Sequence, residues 1–213
     1  GAPSEGGADA ATTRFCDLPA NRPSASRFCD DFDHDPTTVD FRGWTKQETV
    51  NGWVGFDTVA RSAPFSFTST IRKDATYAQA FLRRREATGS RLHVRFDVMG
   101  AAPPKGAPLY LGHLAFDNRY DISLRAFGDG AEHLVVSETG RTSDGANNTD
   151  GPDTRVDLAP SLASGKWFTI DVRVDEVAQK WTVSMGGPPT TKSTFVSLPA
   201  KSNRTLLLGA EAY

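Results

Sequence analysis

The sequence predicts an all-β chain folded as a two-sheet antiparallel sandwich. Three observations carry this. Apolar and polar residues alternate with period two in most ordered-looking segments, Gly, Pro, Asn and Asp clusters separate those segments, and helical periodicity is nearly absent. At 213 residues the chain is long enough to bury a core as one domain without metals or many disulfides.

From the N-terminus, GAPSEGGADAAT is small and polar, without the apolar stretch of an export signal. It reads as a stalk left after such a signal is removed, or as an added remnant. Cys16 and Cys29, the two cysteines of the chain, share FCDLPANRPSASRFCDDFD. They favour a disulfide over two free thiols in a reducing cytosol, placing the protein in a secreted, periplasmic or cell-surface setting. With four His in the chain and both cysteines committed to each other, zinc is not expected. The expected organisation is a tail over 1–27, tethered through Cys16, and one domain over 28–213.

DATYAQAFLRRREA (74–87) has helix-forming residues, but Tyr77, Gln79 and Phe81 alternate with Ala78, Ala80 and Leu82. The reading is a strand over 76–84, with a short helix as the alternative. RLHVRFDVM (91–99) alternates Leu92, Val94, Phe96 and Val98 with His93, Arg95 and Asp97. RYDISLRAF (119–127) turns Tyr120, Ile122 and Leu124 inward and Asp121, Ser123 and Arg125 outward. FTIDVRVD (168–175) sets Phe168, Ile170, Val172 and Val174 against Asp171 and Arg173. WTVSM (181–185), HLVVSE (133–138), PLYLGHLAF (108–116) and RTLLLGAEA (204–212) complete the strands. GAAPPKGAP, SDGANNTDGPD and MGGPP are the connections.

The 24 basic and 26 acidic residues give a formal charge of −2, and they are interspersed. A phosphate-tracking basic surface is not expected, so nucleic acid is set aside. No apolar run of about 18 residues is present to cross a membrane as a helix.

FCDDFD (28–33), Trp44, GWVGFDTVARSAPFSFTSTI (52–71), RLHVRFDVM, the LGHLAFDNRYDISL meander and KWFTIDVRVD running into WTVSM together resemble bacterial concanavalin A-like lectin/glucanase domains of the laminin G type. The resemblance covers about 28–213 and implies a jelly-roll sandwich whose larger sheet curves, with glycans on its wet concave face. Lectins, glycosidases, lyases and adhesive modules share this fold, so fold alone does not choose among them. Such domains usually close with a further strand beside the first. Here the chain stops at LLLGAEAY (206–213): either the final strand is rearranged, or the chain is cut short and the edge beside 28–33 is open to a strand from a protein partner. A simple boundary of the sequence is the plainer reading.

The concave face is expected to gather His93, Arg95, Asp97, Asp121, Ser123, Arg125, Asp171 and Arg173 into a polar groove for a glycan or surface polymer. Carboxylates would accept sugar hydroxyls and Arg would engage uronate or sulfate. The plainer reading is a solvated face of cross-strand ion pairs. Hydrolysis needs two carboxyls about 5–9 Å apart, and the Glu-x-Asp-x-x-Glu or Glu-x-Asp-x-Glu strings of retaining glucanases of this fold are missing. Glu132 and Glu138 would share a face but stand about 20 Å apart at about 3.3 Å per residue. Lyases of this fold use His and Tyr, with Arg or Gln neutralising a uronate; His93, His113, Tyr110 and Tyr120 are the candidates. The Arg-x-Glu and Gln-x-His strings of the alginate type do not occur.

A structural Ca²⁺ is the metal to expect, held by Asp31, Asp33 and Asp35 or by Asp144, Asp150 and Asp153, hard oxygen ligands near turns. The same residues are also ordinary turn formers. Among Trp44, Trp53, Trp167 and Trp181, one could serve as a sugar platform and the others as core. The leading reading is a non-catalytic extracytoplasmic binding module. The alternatives are a polysaccharide lyase, or a hydrolase, acting on an acidic glycan, and an assembly protein using the open edge.

Overall fold

The computed structural model describes residues 15–20, 22–24, 28–32, 43–44, 46–61, 65–72, 74–86, 89–99, 108–117, 120–128, 133–141, 148–150, 156–159, 165–194, 198 and 203–212. Its regular elements are fourteen strands and one 3₁₀ turn, Phe15–Asp17. The strands are β1 Lys46–Val50, β2 Gly52–Asp57, β3 Ser66–Ile71, β4 Ala78–Glu86, β5 Arg91–Met99, β6 Leu109–Phe116 and β7 Tyr120–Phe127. They continue with β8 His133–Arg141, β9 Asn148–Asp150, β10 Val156–Ala159, β11 Trp167–Asp175, β12 Lys180–Ser184, β13 Thr190–Ser193 and β14 Arg204–Ala212. The fold is an antiparallel jelly-roll sandwich.

The larger sheet runs β1-β4-β14-β6-β7-β8-β10, with β9 added to β8. The smaller runs β13-β12-β11-β5, and β2 and β3 form a separate hairpin. The period-two segments deliver one apolar face each, and those faces meet. Leu114, Ile122, Leu124 and Val136 of the large sheet pack with Ile170, Val172, Trp181 and Val183 of the small one. The hairpin lies against the inner side of β4, where Val54 packs with Ala80 and Leu82 and the Ser69 hydroxyl donates to the Ala80 carbonyl. The strand expected over 76–84 is β4, running Ala78–Glu86; its helix formers are overridden by pairing on both sides, with β1 and with β14.

One reading of the chain's end is corrected. β14 lies inside the large sheet, paired to β4 and β6, and residues 28–32 form no strand. The alternative of an open edge at FCDDFD thus has no strand among the described residues 28–32 to rest on; among the described strands, the large sheet ends at β1 and at β10. Glu138 faces inward and is fully buried, because the residue opposite it is the core residue Ile122.

Cys16 and Cys29 are joined, with Cα atoms 5.7 Å apart. A loop of this length stabilises by about 3 kcal/mol in the chain-entropy model. The segment is tied further by the Cys16 amide donating to Asp31 and the Trp44 indole N–H donating to Asp30 at 2.9 Å. At one end of the sandwich, Arg204 of β14 and Glu176 after β11 form a buried pair at 2.7 Å, with Arg204 also donating to the Arg91 and Gly89 carbonyls. These bonds satisfy the guanidinium where water cannot reach it.

Candidate functional site

The expected single groove divides between two surfaces. β5 and β11 belong to the small sheet and β7 to the large one. Because the two sheets pack face to face, their polar faces point in opposite directions. His93, Arg95, Asp97, Asp171 and Arg173 lie on one outer surface, and Asp121, Ser123 and Arg125 on the other. Period two assigns residues to a face of their own strand; it does not assign strands to sheets.

On the small-sheet surface the residues neutralise one another. Asp171 accepts from His93 at 2.7 Å and from Arg173 at 3.0 Å. Burial alone would raise the Asp171 pKa, but the hydrogen bonds and charges of His93 and Arg173 hold it below the usual carboxylate value. Asp97 accepts from the Thr169 hydroxyl and pairs with Arg61 at 3.1 Å. Arg91 pairs with Asp175. This is a solvated ladder, the plainer of the two readings of these residues.

The large-sheet surface gathers a denser cluster. Register sets Gln79, Glu211, Tyr110 and Arg125 in one row across β4, β14, β6 and β7. A second row holds Arg83, Leu207, His113 and Ser123. A third places Arg85, Thr205, Ala115 and Asp121. His113 lies between two carboxylates, Nδ1 3.3 Å from Asp121 and Nε2 2.9 Å from Glu211. Its ring stacks on Tyr110, with centroids 5.0 Å apart, and meets the edge of Phe81. The Arg125 guanidinium covers Tyr110 at 4.7 Å, and its Nε donates to the Ser123 hydroxyl. Tyr77 reaches Gln79 and, at 3.1 Å, Glu211.

Two irregularities build this cluster. Tyr110 and His113 are three residues apart, so strict alternation would put them on opposite faces. An extra residue in β6 between Tyr110 and Gly112 returns both to the outer face, opposite Arg125 and Ser123. β14 carries a second shift between Leu208 and Glu211. It passes through Gly209 at φ 151°, where a Cβ would overlap the Ala80 carbonyl. Bulges of this kind re-aim side chains next to functional surfaces.

Burial of the His113 ring disfavours its charge, but hydrogen bonds to Asp121 and Glu211, with their negative charges, outweigh it and raise the pKa to about 9. At neutral pH the ring is an imidazolium donating from both nitrogens. It can neutralise an anion nearby and orient its two carboxylates. It cannot accept a proton until it has first given one up.

Of the other candidates, Tyr120 is an inward residue whose hydroxyl donates to Glu138. Burial, with the hydrogen bond to Glu138, raises its pKa. It faces the core, so the structure corrects its place among the catalytic candidates. Asp31 accepts the Cys16 amide. Asp33, Asp35, Asp144 and Asp153 lie outside the described residues, and for Asp150 only the β9 backbone is described. Among the described residues no three His, Cys, Asp or Glu side chains are grouped to hold a metal. Sequence reasoning passed over Gln79, Glu211 and Tyr77 as site residues; the pairing of β14 with β4 and β6 brings them in.

No family model matches the chain, and no curated protein matches it. Solved structures do resemble it in chain path. An alginate lyase from Pseudomonas aeruginosa aligns with 13% identity and a TM-score of 0.46, over 74% of this chain and 71% of its own. A SAP-like pentraxin from Limulus polyphemus aligns with 14% identity and a TM-score of 0.41, over 65% of this chain; the match spans 59% of the pentraxin. The CBM40 of the Ruminococcus gnavus IT-sialidase, solved with α2,3-sialyllactose, aligns with 10% identity and a TM-score of 0.37, over 59% of this chain and 77% of its own. The likeness is a loose one of chain path alone.

Proposed function

We propose that the protein is an extracytoplasmic glycan-binding module whose site is the outer face of the large sheet around Tyr110, His113, Asp121 and Arg125. The observation that carries this is the continuous Arg125–Tyr110–His113 stack beside Asp121. It sets cationic and carboxylate groups side by side for the substituents of a sugar ring. The disulfide supports a setting outside the reducing cytoplasm. Arg83 and Arg85 stand in the same rows, so the face favours a glycan with carboxylate or sulfate groups.

Proton abstraction is the competing chemistry, because Tyr110, His113, Gln79 and Arg125 are the residue types a lyase uses. The protonated state of His113 and its two carboxylate partners support binding over elimination. Calorimetric titration with oligouronates, run beside absorbance at the wavelength of the unsaturated product, separates the readings. Binding without new absorbance, lost in Arg125→Ala, is the expected result. Product formation abolished by Tyr110→Phe would convert the module into a lyase. No heat with uronates, sulfated oligosaccharides or neutral ones would remove the glycan reading of this face.

A further inference from the structure

The hairpin of β2 and β3 presents a surface of different character on the opposite side of β4. Its inner face is fixed by Val54 against Ala80 and Leu82 and by the Ser69 bond to Ala80. The alternate residues Trp53, Gly55, Thr68 and Thr70 therefore face outward, with Trp53 opposite Thr70 and Gly55 opposite Thr68. Trp53 is 56% exposed, although a large aromatic on a strand ordinarily buries most of its area.

The backbone beneath the indole is held firmly. Asn51, at φ 50°, donates its side-chain amide to the Tyr77 carbonyl at 3.0 Å, and its own carbonyl accepts the Arg72 amide at 2.9 Å. A Cβ at Gly52 would stand 2.7 Å from the Thr70 carbonyl oxygen, so the chain there is already at contact distance. Two residues beyond Trp53, Gly55 leaves a notch in which a Cβ would meet only the Thr68 methyl, at 3.8 Å. Trp53, Gly55, Thr68 and Thr70 thus form a ledge with a flat indole, a step one side chain deep and two hydroxyls. None of these four residues is ionisable; the same face continues to the exposed Asp57 beyond Gly55 and to Arg72, paired with Asp74 at 3.0 Å, beyond Thr70.

We infer that this ledge is a second saccharide site, selective for neutral pyranoses with equatorial substituents, such as β-1,4-linked glucose units. The apolar C–H face of such a ring lies flat on the indole. The Gly55 notch admits the adjoining unit, and Thr68 and Thr70 exchange hydrogen bonds with ring hydroxyls as both donor and acceptor. The His113 face carries arginines and an imidazolium at its centre; on the ledge the charged groups, Asp57 and Arg72, stand at its two ends. The two sites therefore take different glycans, and a chain bound at each would be cross-linked through one molecule.

Calorimetric titration of the whole protein with cellohexaose tests this. Wild type and Arg125→Ala bind alike, and Trp53→Ala binds about tenfold more weakly or not at all, about 1.4 kcal/mol or more. Filling the notch with Gly55→Val, a residue that suits a strand, weakens binding with the indole intact. Equal affinity in wild type and Trp53→Ala overturns the inference, as does an absence of cellohexaose binding by wild type. Neither result bears on the His113 face, whose test uses uronates and Arg125→Ala.

Discussion

The two outer faces of the sandwich use the same residue types, a histidine among carboxylates and arginines, yet they bury them differently. On the small sheet the His93 side chain is 52% exposed and bonds Asp171; on the large sheet His113 is 14% exposed and bridges Asp121 and Glu211. Exposed pairs are weakened by water and screened by salt within about 8–10 Å. Pairs removed from water interact more strongly and are costly to break from one side. The small-sheet face is thus a row of exposed charges paired with one another, and the large-sheet face is a pre-organised electrostatic centre. The difference is one of neighbours, since Phe81, Tyr110 and the bulged strands wall in His113 and nothing comparable covers His93.

The sharpest way to break the comparison is to remove one carboxylate from each face. Glu211→Ala leaves a buried imidazolium half-compensated and is expected to cost about 3 kcal/mol or more in urea unfolding. Asp171→Ala should cost about 0.2–1 kcal/mol. Equal costs would erase the distinction.

The pH dependence separates the faces next. The His113 pKa is raised above its ordinary 6.5, so its stabilisation is fully present below about 6.5 and is lost as pH rises through about 9. The shift corresponds to about 3 kcal/mol. The Asp171 pKa is lowered, so its contribution is present above the ordinary carboxylate value of 3.8 and fades as pH falls below it. Stability followed from pH 6 to 10 should decline in wild type and stay flatter in His113→Gln. An unchanged slope would mean that His113 is not the group titrating.

A backbone change probes how the cluster is held. Gly209→Ala places a Cβ against the Ala80 carbonyl, at an expected cost of about 1–3 kcal/mol. In NMR titration the His113 ring signals should shift while those of His93 stay in place. The smallest effect is expected for Arg173→Ala: within about 0.5 kcal/mol of wild type, with the remaining difference gone in about 1 M salt.

The strands were legible because each has one apolar face. Leu92, Val94, Phe96 and Val98, and likewise Ile122 and Leu124, alternate cleanly, and Cys16 and Cys29 bracket a loop of the right length to close. His113, Asp121, Ser123 and Arg125 were singled out as site candidates from residue type and strand face. Their partners were not legible. Glu211 lies 98 residues from His113, and no local pattern encodes that β14 enters the sheet between β4 and β6. Tyr110 and His113 share a face only because of the bulge between them, and a two-residue period is blind to an inserted residue.

By itself, then, the sequence determined the all-β class, the inward face of most strands and the cysteine pair, because these follow from short-range periodicity and composition. The tertiary structure decided which strands share a sheet. That separated His93, Asp97 and Asp171 from Asp121 and Arg125, and it brought Tyr77, Gln79 and Glu211 to His113. Sheet membership is set by long-range pairing and by which apolar faces bury one another, free energies that no single strand contains.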